Sequence, residues 1–361
     1  MLRSGWSRRQ FLKQGLGAAI ASRLLGGCGG VPPSQQLFIY GWETYVNTQE
    51  IFDRFLDETG IEVRGDSYDS LEVMEARLKA TGNQLGYSII YPSDISVERM
   101  RLRGDLVRLD KTLLTDFANL DPKYLDPPYD PGSQYSIPLA PGTTGIAYNA
   151  KQVRELTGSE PTDWGFLWQH RDKLKITLLN DMREVLGMGL KSLGLDYNSA
   201  NPAEIQRAYE HLRALKPAIV KYETYAWTEL LAAGDIALSM AYSLDGIAVT
   251  QQDPNIRFVL ADSGPTLWID TIAMPKGAPN PEAAYAWMAY SLRPEVAAAY
   301  VNATNAGTTN RLALDLVEPG IRNTPAWTID ETVLRKGHWT ALLPDAVLQV
   351  YNEYWTRLSS A

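Results

Sequence analysis

The chain has 361 residues, with 42 acidic against 34 basic side chains, a formal net charge of −8, three histidines and one cysteine. The negative balance argues against nucleic acid as a partner, the lone cysteine leaves no disulfide framework, and His170, His211 and His338 lie too far apart to show a metal-ligand spacing. The length is enough for two domains.

Residues 1–27 hold Arg3, Arg8, Arg9, Lys13 and Arg23 and no acid. The run from Lys13 to Cys28 is mostly Gly, Ala, Leu and Ile, too short and too weakly apolar for a bilayer core, which needs roughly 20 apolar residues. A charged start, a modest apolar stretch and small residues at the end describe a secretory signal. The stretch Ser7-Arg8-Arg9-Gln10-Phe11-Leu12-Lys13 resembles the bacterial twin-arginine export signal. Leu25-Gly26-Gly27-Cys28 resembles a lipobox, in which the acylated thiol becomes the first residue of the mature protein. Multiple acylation holds firmly where one chain anchors only marginally. Losing residues 1–27 removes five basic side chains and takes the net charge from −8 to about −13.

Residues 29–36 (GGVPPSQQ) read as a tether. Leu37-Phe38-Ile39-Tyr40 is a buried-strand run broken by Gly41. Ile51, Phe52, Phe55 and Leu56 recur at helical spacing, with Gly60 as a stop. A second strand is expected at 61–63. Asp69 with Glu72 suggests a capping box for a helix carrying Leu71, Met74 and Leu78. A third strand at 88–91 and a short helix at 97–103 follow.

Residues 121–141 read as a Pro-rich loop. Strands are expected at 146–148, 175–179, 236–241 and 256–260. Helices are expected at 184–193, at 202–215 after Asn201, and at 227–233 before Gly234, with 281–292 and 344–358 the clearest cases near the end. The alternation predicts an α/β protein with a mainly parallel sheet in each of two lobes. The chain is expected to cross between lobes near 142–145 and 268–271.

Sequence motifs for catalysis are missing: no HExxH, G-x-S-x-G, Walker loop or G-x-G-x-x-G after a strand occurs. Only a carboxylate-only hydrolase stays open as an enzymatic alternative. Four loop segments, each just after an expected strand, pair an aromatic with an acid or carry paired acids. They are Trp42-Glu43-Thr44-Tyr45, Asp181-Met182-Arg183-Glu184, Tyr242-Ser243-Leu244-Asp245 and Trp268-Ile269-Asp270. Ligands of open α/β sheets bind beyond the carboxyl ends of strands. Aromatic faces attract ammonium groups and carboxylates accept their N–H donors, so convergence of these segments would suit a flexible cation. Each has a plainer reading: Trp42 and Trp268 as core, Asp181 and Glu184 as helix cap and first-turn acid, Asp245 as a turn residue before Gly246.

Over residues 38–358 the chain resembles the periplasmic spermidine/putrescine-binding proteins of bacterial ABC importers. The stretches that carry the resemblance are GWETY (41–45), FLDETG (55–60), YPS (91–93), YSIP (135–138), DMREV (181–185), WID (268–270) with MP (274–275), LRPEVA (292–297) and YNEY (351–354). The resemblance implies a two-lobed type II periplasmic-binding-protein fold. Residues 37–143 and about 271–320 would form one lobe, 144–270 and about 321–361 the other, closing over one polyamine. It places Trp42, Glu43, Thr44, Tyr45, Ser93, Asp181, Glu184, Tyr242, Asp245, Trp268 and Asp270 at the ligand. Asp245 matches an acid of putrescine-type members. Ile95 and Ala306 stand where the family has aromatics and Thr340 where it has an amide, which favours putrescine at least as much as spermidine.

The resemblance further implies a monomeric binding protein, not an enzyme, with no cofactor or metal. Held by lipid at Cys28 on the periplasmic face of the inner membrane, it would deliver its ligand to an ABC permease and its ATPase subunits. The same fold with an amino acid, a γ-amino acid or a quaternary amine is the alternative. A ligand carboxylate would then want a basic residue, and Arg183 is the nearest.

Overall fold

A computed structural model of the chain describes residues 35–324 and 326–360. The export-signal and lipidation expectations at Arg8, Arg9 and Cys28 lie outside the described residues. No helix among the described residues is long and apolar enough to cross a membrane.

Among the described residues ten strands form one mixed sheet: β1 Gln36–Trp42, β2 Glu62–Tyr68, β3 Ile89–Ile90, β4 Ser136–Asn149, β5 Ile176–Leu178, β6 Ile219–Tyr222, β7 Leu238–Tyr242, β8 Ile256–Val259, β9 Thr266–Ala273 and β10 His338–Trp339. Their order is β2-β1-β3-β9-β4-β7-β5-β6, with β8 beside β4 and β10 beside β9. The outer strands are parallel, β1 with β2 and β3, and β5 with β6 and β7. The central strands are antiparallel, β4 with β9, β7 and β8. The parallel expectation therefore fits the two flanks of the sheet, while the strands that join them run against each other.

Strands β1 and β4 are covered on both faces, and single residues along each show it. In β1, Leu37 and Ile39 enter a core with Phe55, Trp287 and Tyr290. Tyr40 turns to the opposite core of Tyr68, Met74, Tyr87 and Ile90. In β4, Ile146 and Tyr148 face a third core built on Leu186, Ile205 and Leu212. Ala147 faces a fourth around Trp227 and Ile256. This two-residue alternation is the pleat of a strand covered by helices on each side. The C-terminal helix Asp345–Ser359 lays Tyr351 and Leu358 on the third core, and Tyr351 donates from its hydroxyl to Ser199 O at 2.9 Å.

Helix punctuation follows backbone chemistry. Gly60 and Gly234 end their helices at φ of 72° and 78°, a region costly for a side chain bearing Cβ. Asn201 caps Pro202–Leu215 by accepting from Ala203 N. Several expectations are corrected. Ser70, not Asp69, caps Leu71–Thr81, accepting from Val73 N. Residues 136–141 are the first half of β4, not loop. Pro138 and Pro141 are tolerated there because β4 is paired on that stretch only with β9. Residues 243–252, read as a turn at Asp245-Gly246, form the helix Ser243–Gln252. Trp268-Ile269-Asp270 lies inside β9, not in a loop after a strand.

Asp130 launches β4. Fully buried, it accepts from Gln134 N at 3.0 Å, Tyr135 N and Ser136 N at 2.9 Å, and Ser136 Oγ at 2.8 Å. Asp130→Ala leaves three backbone donors without a partner, each costing about 1 kcal/mol or more. We expect urea unfolding to show a loss of about 3 kcal/mol or more with an unchanged m-value.

Candidate functional site

Strands β1, β5, β6 and β7 all end at one cleft, which β9 crosses. The cleft encloses about 1180 Å³, counted out to its open mouth. Of the eleven expected ligand residues, Trp42, Thr44, Tyr45, Ser93, Asp181, Glu184, Tyr242, Asp245, Trp268 and Asp270 line it. Glu43 does not. It opens the short helix Glu43–Val46, faces solvent, and accepts from Asn47 Nδ2 at 3.2 Å. Thr44 is the member of the pair that faces the cleft. Ile95 and Thr340 line the wall, whereas Ala306 is buried in the core.

Asp270 is the best anchored acid. Tyr45 donates to Oδ2 at 2.9 Å and Ser93 to Oδ1 at 2.7 Å. Burial pushes its pKa up to about 6, against the hydrogen bonds that favour the charged form. Tyr45 is itself stacked on Tyr91, with ring centroids 5.1 Å apart. Beside them Trp42 leans on Tyr68, and Asp94 is raised to about 7 by burial, although the Ile95 and Ile269 amides favour its charge.

Across the cleft, Asp181 takes the helix-cap role the sequence offered as its plainer reading, and it also lines the cleft. Its Oδ1 caps the helix Met182–Ser192, accepting from Arg183 N at 2.9 Å and Glu184 N at 3.0 Å. Its Oδ2 faces the Tyr242 hydroxyl at 3.3 Å. Glu184 accepts from Thr144 Oγ1 at 3.1 Å through Oε1; its Oε2 is buried with no well-aligned hydrogen-bond partner among the described residues, although the Thr266 hydroxyl beside the carboxylate favours its charge. Burial first and the Asp181 charge second hold its pKa well above the ordinary carboxylate range. Asp245, half-buried, makes no hydrogen bond to the described residues, and burial together with the Glu43 charge raises it to about 7. Trp268 meets Tyr242 edge to face, with centroids 5.6 Å apart. Gly142 lies directly beneath Trp268: a Cβ there would come within 2.0 Å of the indole, so only glycine leaves room for the ring.

The cleft thus carries six carboxylates, Glu72, Asp94, Asp181, Glu184, Asp245 and Asp270, and two guanidiniums, Arg99 and Arg183. Both guanidiniums have a partner, though neither is saturated. Arg99 Nε lies 3.1 Å from Glu75 in an ion pair without hydrogen-bond geometry, and Arg183 Nε has no hydrogen-bond partner among the described residues. Arg183 donates to Asn198 Oδ1 at 2.8 Å and Ala341 O at 3.2 Å and lies over the Tyr351 ring. Among the described residues no group of three or more His, Cys, Asp or Glu is arranged to hold a metal ion.

Glu72, Asp94, Arg99 and Tyr225 escaped the sequence reading. For Tyr225 a signal existed. Tyr222-Glu223-Thr224-Tyr225 at the end of β6 repeats the pattern of Trp42-Glu43-Thr44-Tyr45 at the end of β1, and both final tyrosines reach the cleft. Asp94 was hidden as a first-turn acid of the helix Asp94–Arg103.

A sheet whose two flanks are joined by β4 and β9, with an acidic and aromatic cleft between them, defines a two-lobed ligand-binding protein. The chain belongs to the bacterial extracellular solute-binding protein family, whose profile matches residues 50–329. It is 32% identical over 359 residues to the spermidine/putrescine-binding periplasmic protein of Salmonella typhimurium, covering 98% of this chain and 99% of that one. It is 28% identical over 349 residues to a putrescine/cadaverine-binding protein of Pseudomonas aeruginosa, covering 94% and 98%. Among solved structures, a putative spermidine/putrescine ABC transporter protein from Listeria monocytogenes superposes with a TM-score of 0.84 at 28% identity, covering 90% of this chain and 98% of that one. The two-lobed periplasmic-binding-protein fold is thereby established.

The raised carboxylates make stability depend on pH. A carboxyl whose folded pKa lies above its unfolded value near 4 contributes stability that is complete below pH 4 and is lost as pH rises through the folded pKa. For Asp94 and Asp245 that loss runs from about pH 4 to about pH 7 and is nearly complete there. Burial lowers all three histidines, an effect of opposite sign that is complete just above their ordinary pKa. We therefore expect the melting temperature of the ligand-free protein, measured against that of Asp245→Asn, to decline as pH rises from about 5 to 7 and to run parallel to it above about pH 8. A slope unchanged in Asp245→Asn would remove Asp245 from the account.

Proposed function

We propose that this chain is the substrate-binding component of a polyamine ABC importer, capturing a diamine or triamine between its lobes without chemical turnover. The observation that carries the reading is the charge inventory of the cleft: six carboxylates, with the only two cationic side chains held by other partners. A flexible ligand with ammonium ends satisfies Asp270 on one wall and Glu184 or Asp245 on the other. Its methylene body lies against Trp42, Tyr225, Tyr242 and Trp268, where each ring near an ammonium adds about 0.5 to 2 kcal/mol. Micromolar affinity needs about 8 kcal/mol, within reach of such a set after ordering costs. The names of the relatives, which cite spermidine, putrescine and cadaverine, support the same class.

Residues 37–143 with about 271–320, and 144–270 with about 321–361, form the two lobes in this reading. A ligand that bridges both favours the closed arrangement by its differential affinity, and the permease reads the closed shape. Calorimetric titration with putrescine, cadaverine and spermidine at one ionic strength tests the ligand class. Putrescine is expected to bind at least as well as spermidine, and a tenfold preference for spermidine would reverse that order. Removing one member of a buried charge pair costs about 3 to 5 kcal/mol, so Asp270→Asn should weaken binding at least about a hundredfold in protein that still folds. Unchanged affinity would make Asp270 purely structural.

Export through the twin-arginine route by Arg8 and Arg9, and lipid attachment at Cys28, place the protein at the periplasmic face of the inner membrane. Cys28→Ala is expected to yield protein that separates from membranes on fractionation. Replacing Arg8 and Arg9 together by Lys should leave unprocessed precursor in the cytoplasm. Membrane retention of the first variant, or normal processing of the second, would rule out the respective signal.

A further inference from the structure

A cleft meant for diamines must also refuse amino acids, and charge alone does not guarantee it. 1,4-Diaminobutane and 4-aminobutanoate have similar length and share one ammonium end. They differ in the sign of charge at the other end. A cleft with a mobile arginine would welcome the second ligand and repel the first. Arg99 and Arg183 both line the cleft, so how they are held bears directly on ligand choice.

Arg99 is held from behind. Glu75, whose side chain is 10% exposed, takes Arg99 Nε at 3.1 Å and Arg103 Nη1 at 2.8 Å, and accepts from Ser96 Oγ at 2.5 Å. One carboxylate thus restrains two guanidiniums on the helix Asp94–Arg103, and it sits outside the cleft wall. Arg183 is held in a different way. Asn198 Oδ1 accepts from Arg183 Nη2 at 2.8 Å and from Ala341 N at 2.9 Å, and Asn198 Nδ2 donates to Trp339 O at 2.9 Å. Arg183 also donates to Ala341 O, and its guanidinium covers Tyr351. Asn198 therefore ties the arginine to the 339–341 segment, whose Thr340 and Ala341 form part of the rim.

We propose that Glu75 and Asn198, neither of which lines the cleft, are positioning residues that set the charge selectivity of the site by holding the Arg99 and Arg183 guanidiniums against its wall. Selectivity is a difference of two affinities and includes what the site rejects. Here a ligand carboxylate meets guanidiniums already committed elsewhere, Arg99 by its ion pair with Glu75 and Arg183 by its bond to Asn198. The inference rests on the polyamine reading of the same cleft.

The test compares putrescine and 4-aminobutanoate by calorimetry in the wild type, Glu75→Gln, Glu75→Gln/Arg99→Gln and Glu75→Gln/Arg103→Gln. Glu75→Gln should weaken putrescine at least tenfold and strengthen 4-aminobutanoate at least tenfold. The two double variants have equal net charge. Only the one lacking Arg99 should return both affinities to near the wild-type values, because Arg103 is not part of the cleft wall. Recovery in both double variants would show a diffuse charge effect and overturn the assignment, as would unchanged affinities in Glu75→Gln. Should Glu75→Gln fail to fold by circular dichroism, Asn198→Ala puts the same question through Arg183, and an unaltered ranking of the two ligands there overturns the proposal. A wild type that takes 4-aminobutanoate over putrescine would defeat the polyamine reading itself and this inference with it. A wild type that prefers putrescine, with variants that do not shift, defeats this inference alone.

Discussion

The antiparallel pairing of β4 with β9 runs from Ser136 opposite Ala273 to Thr144 opposite Thr266, and both flanks of the sheet grow outward from it. At one end β9 meets β3 through Ile90 and Ala273, and Ser93 bridges to Asp270. At the other, β4 meets β7 and β8. Residues of this pair therefore face both walls of the cleft. Gly142 sits under Trp268, Thr144 donates to Glu184, and Asp270 collects Tyr45 and Ser93. A backbone ladder fixes their spacing far more tightly than a loop would. A side chain mounted on it keeps its geometry relative to both flanks.

Stability and function oppose each other in this cleft. Asp94, Asp245 and Asp270 have pKa values pushed up to about 6 or 7 by burial, which means their charged forms are disfavoured where they stand. Large apolar cores on both faces of each flank supply the compensating stability, from Phe55 and Trp287 on one side to Leu186 and Leu212 on the other. A cation placed among these acids favours their ionised forms, so binding releases protons and relieves the electrostatic penalty together. Strained charge of this kind is a common mark of a binding site.

Much of this was legible because local chemistry and global fold agree. Helices announced by an apolar face and closed by glycine, such as Gln49–Thr59 and Trp227–Ala233, follow from spacing and from the left-handed conformation glycine alone adopts freely. The convergence of aromatic-and-acid segments follows from strand ends sharing one edge. What was illegible depended on tertiary neighbours. Pro138 and Pro141 read as loop because nothing local reveals that one side of β4 is unpaired there. Asp245-Gly246 reads as a turn, although the pair lies in a helix where Gly246 must fit against Phe258. The pinning of Arg99 by Glu75 and of Arg183 by Asn198 leaves no trace in spacing that distinguishes it from ordinary surface pairing.

The two copies of the Glu-Thr-Tyr turn explain why an acid beside an aromatic is an ambiguous sign. At the end of β6, Glu223 accepts from Thr224, Tyr225 and Ala226 N–H groups, so its charge is spent on the backbone while Tyr225 reaches the cleft. At the end of β1, Glu43 faces solvent and takes Asn47, while Tyr45 is buried beside Asp270. In both turns the glutamate organises the chain and the tyrosine builds the wall. The acids with capacity left for a ligand are of another kind: Glu184, whose Oε2 is buried without a well-aligned partner, and Asp245, which bonds to none of the described residues. Unsatisfied capacity, rather than proximity to an aromatic, separates an acid that holds the fold from one that would take a cation in the proposed reading, because a buried carboxylate oxygen left unpaired is costly unless something else completes it.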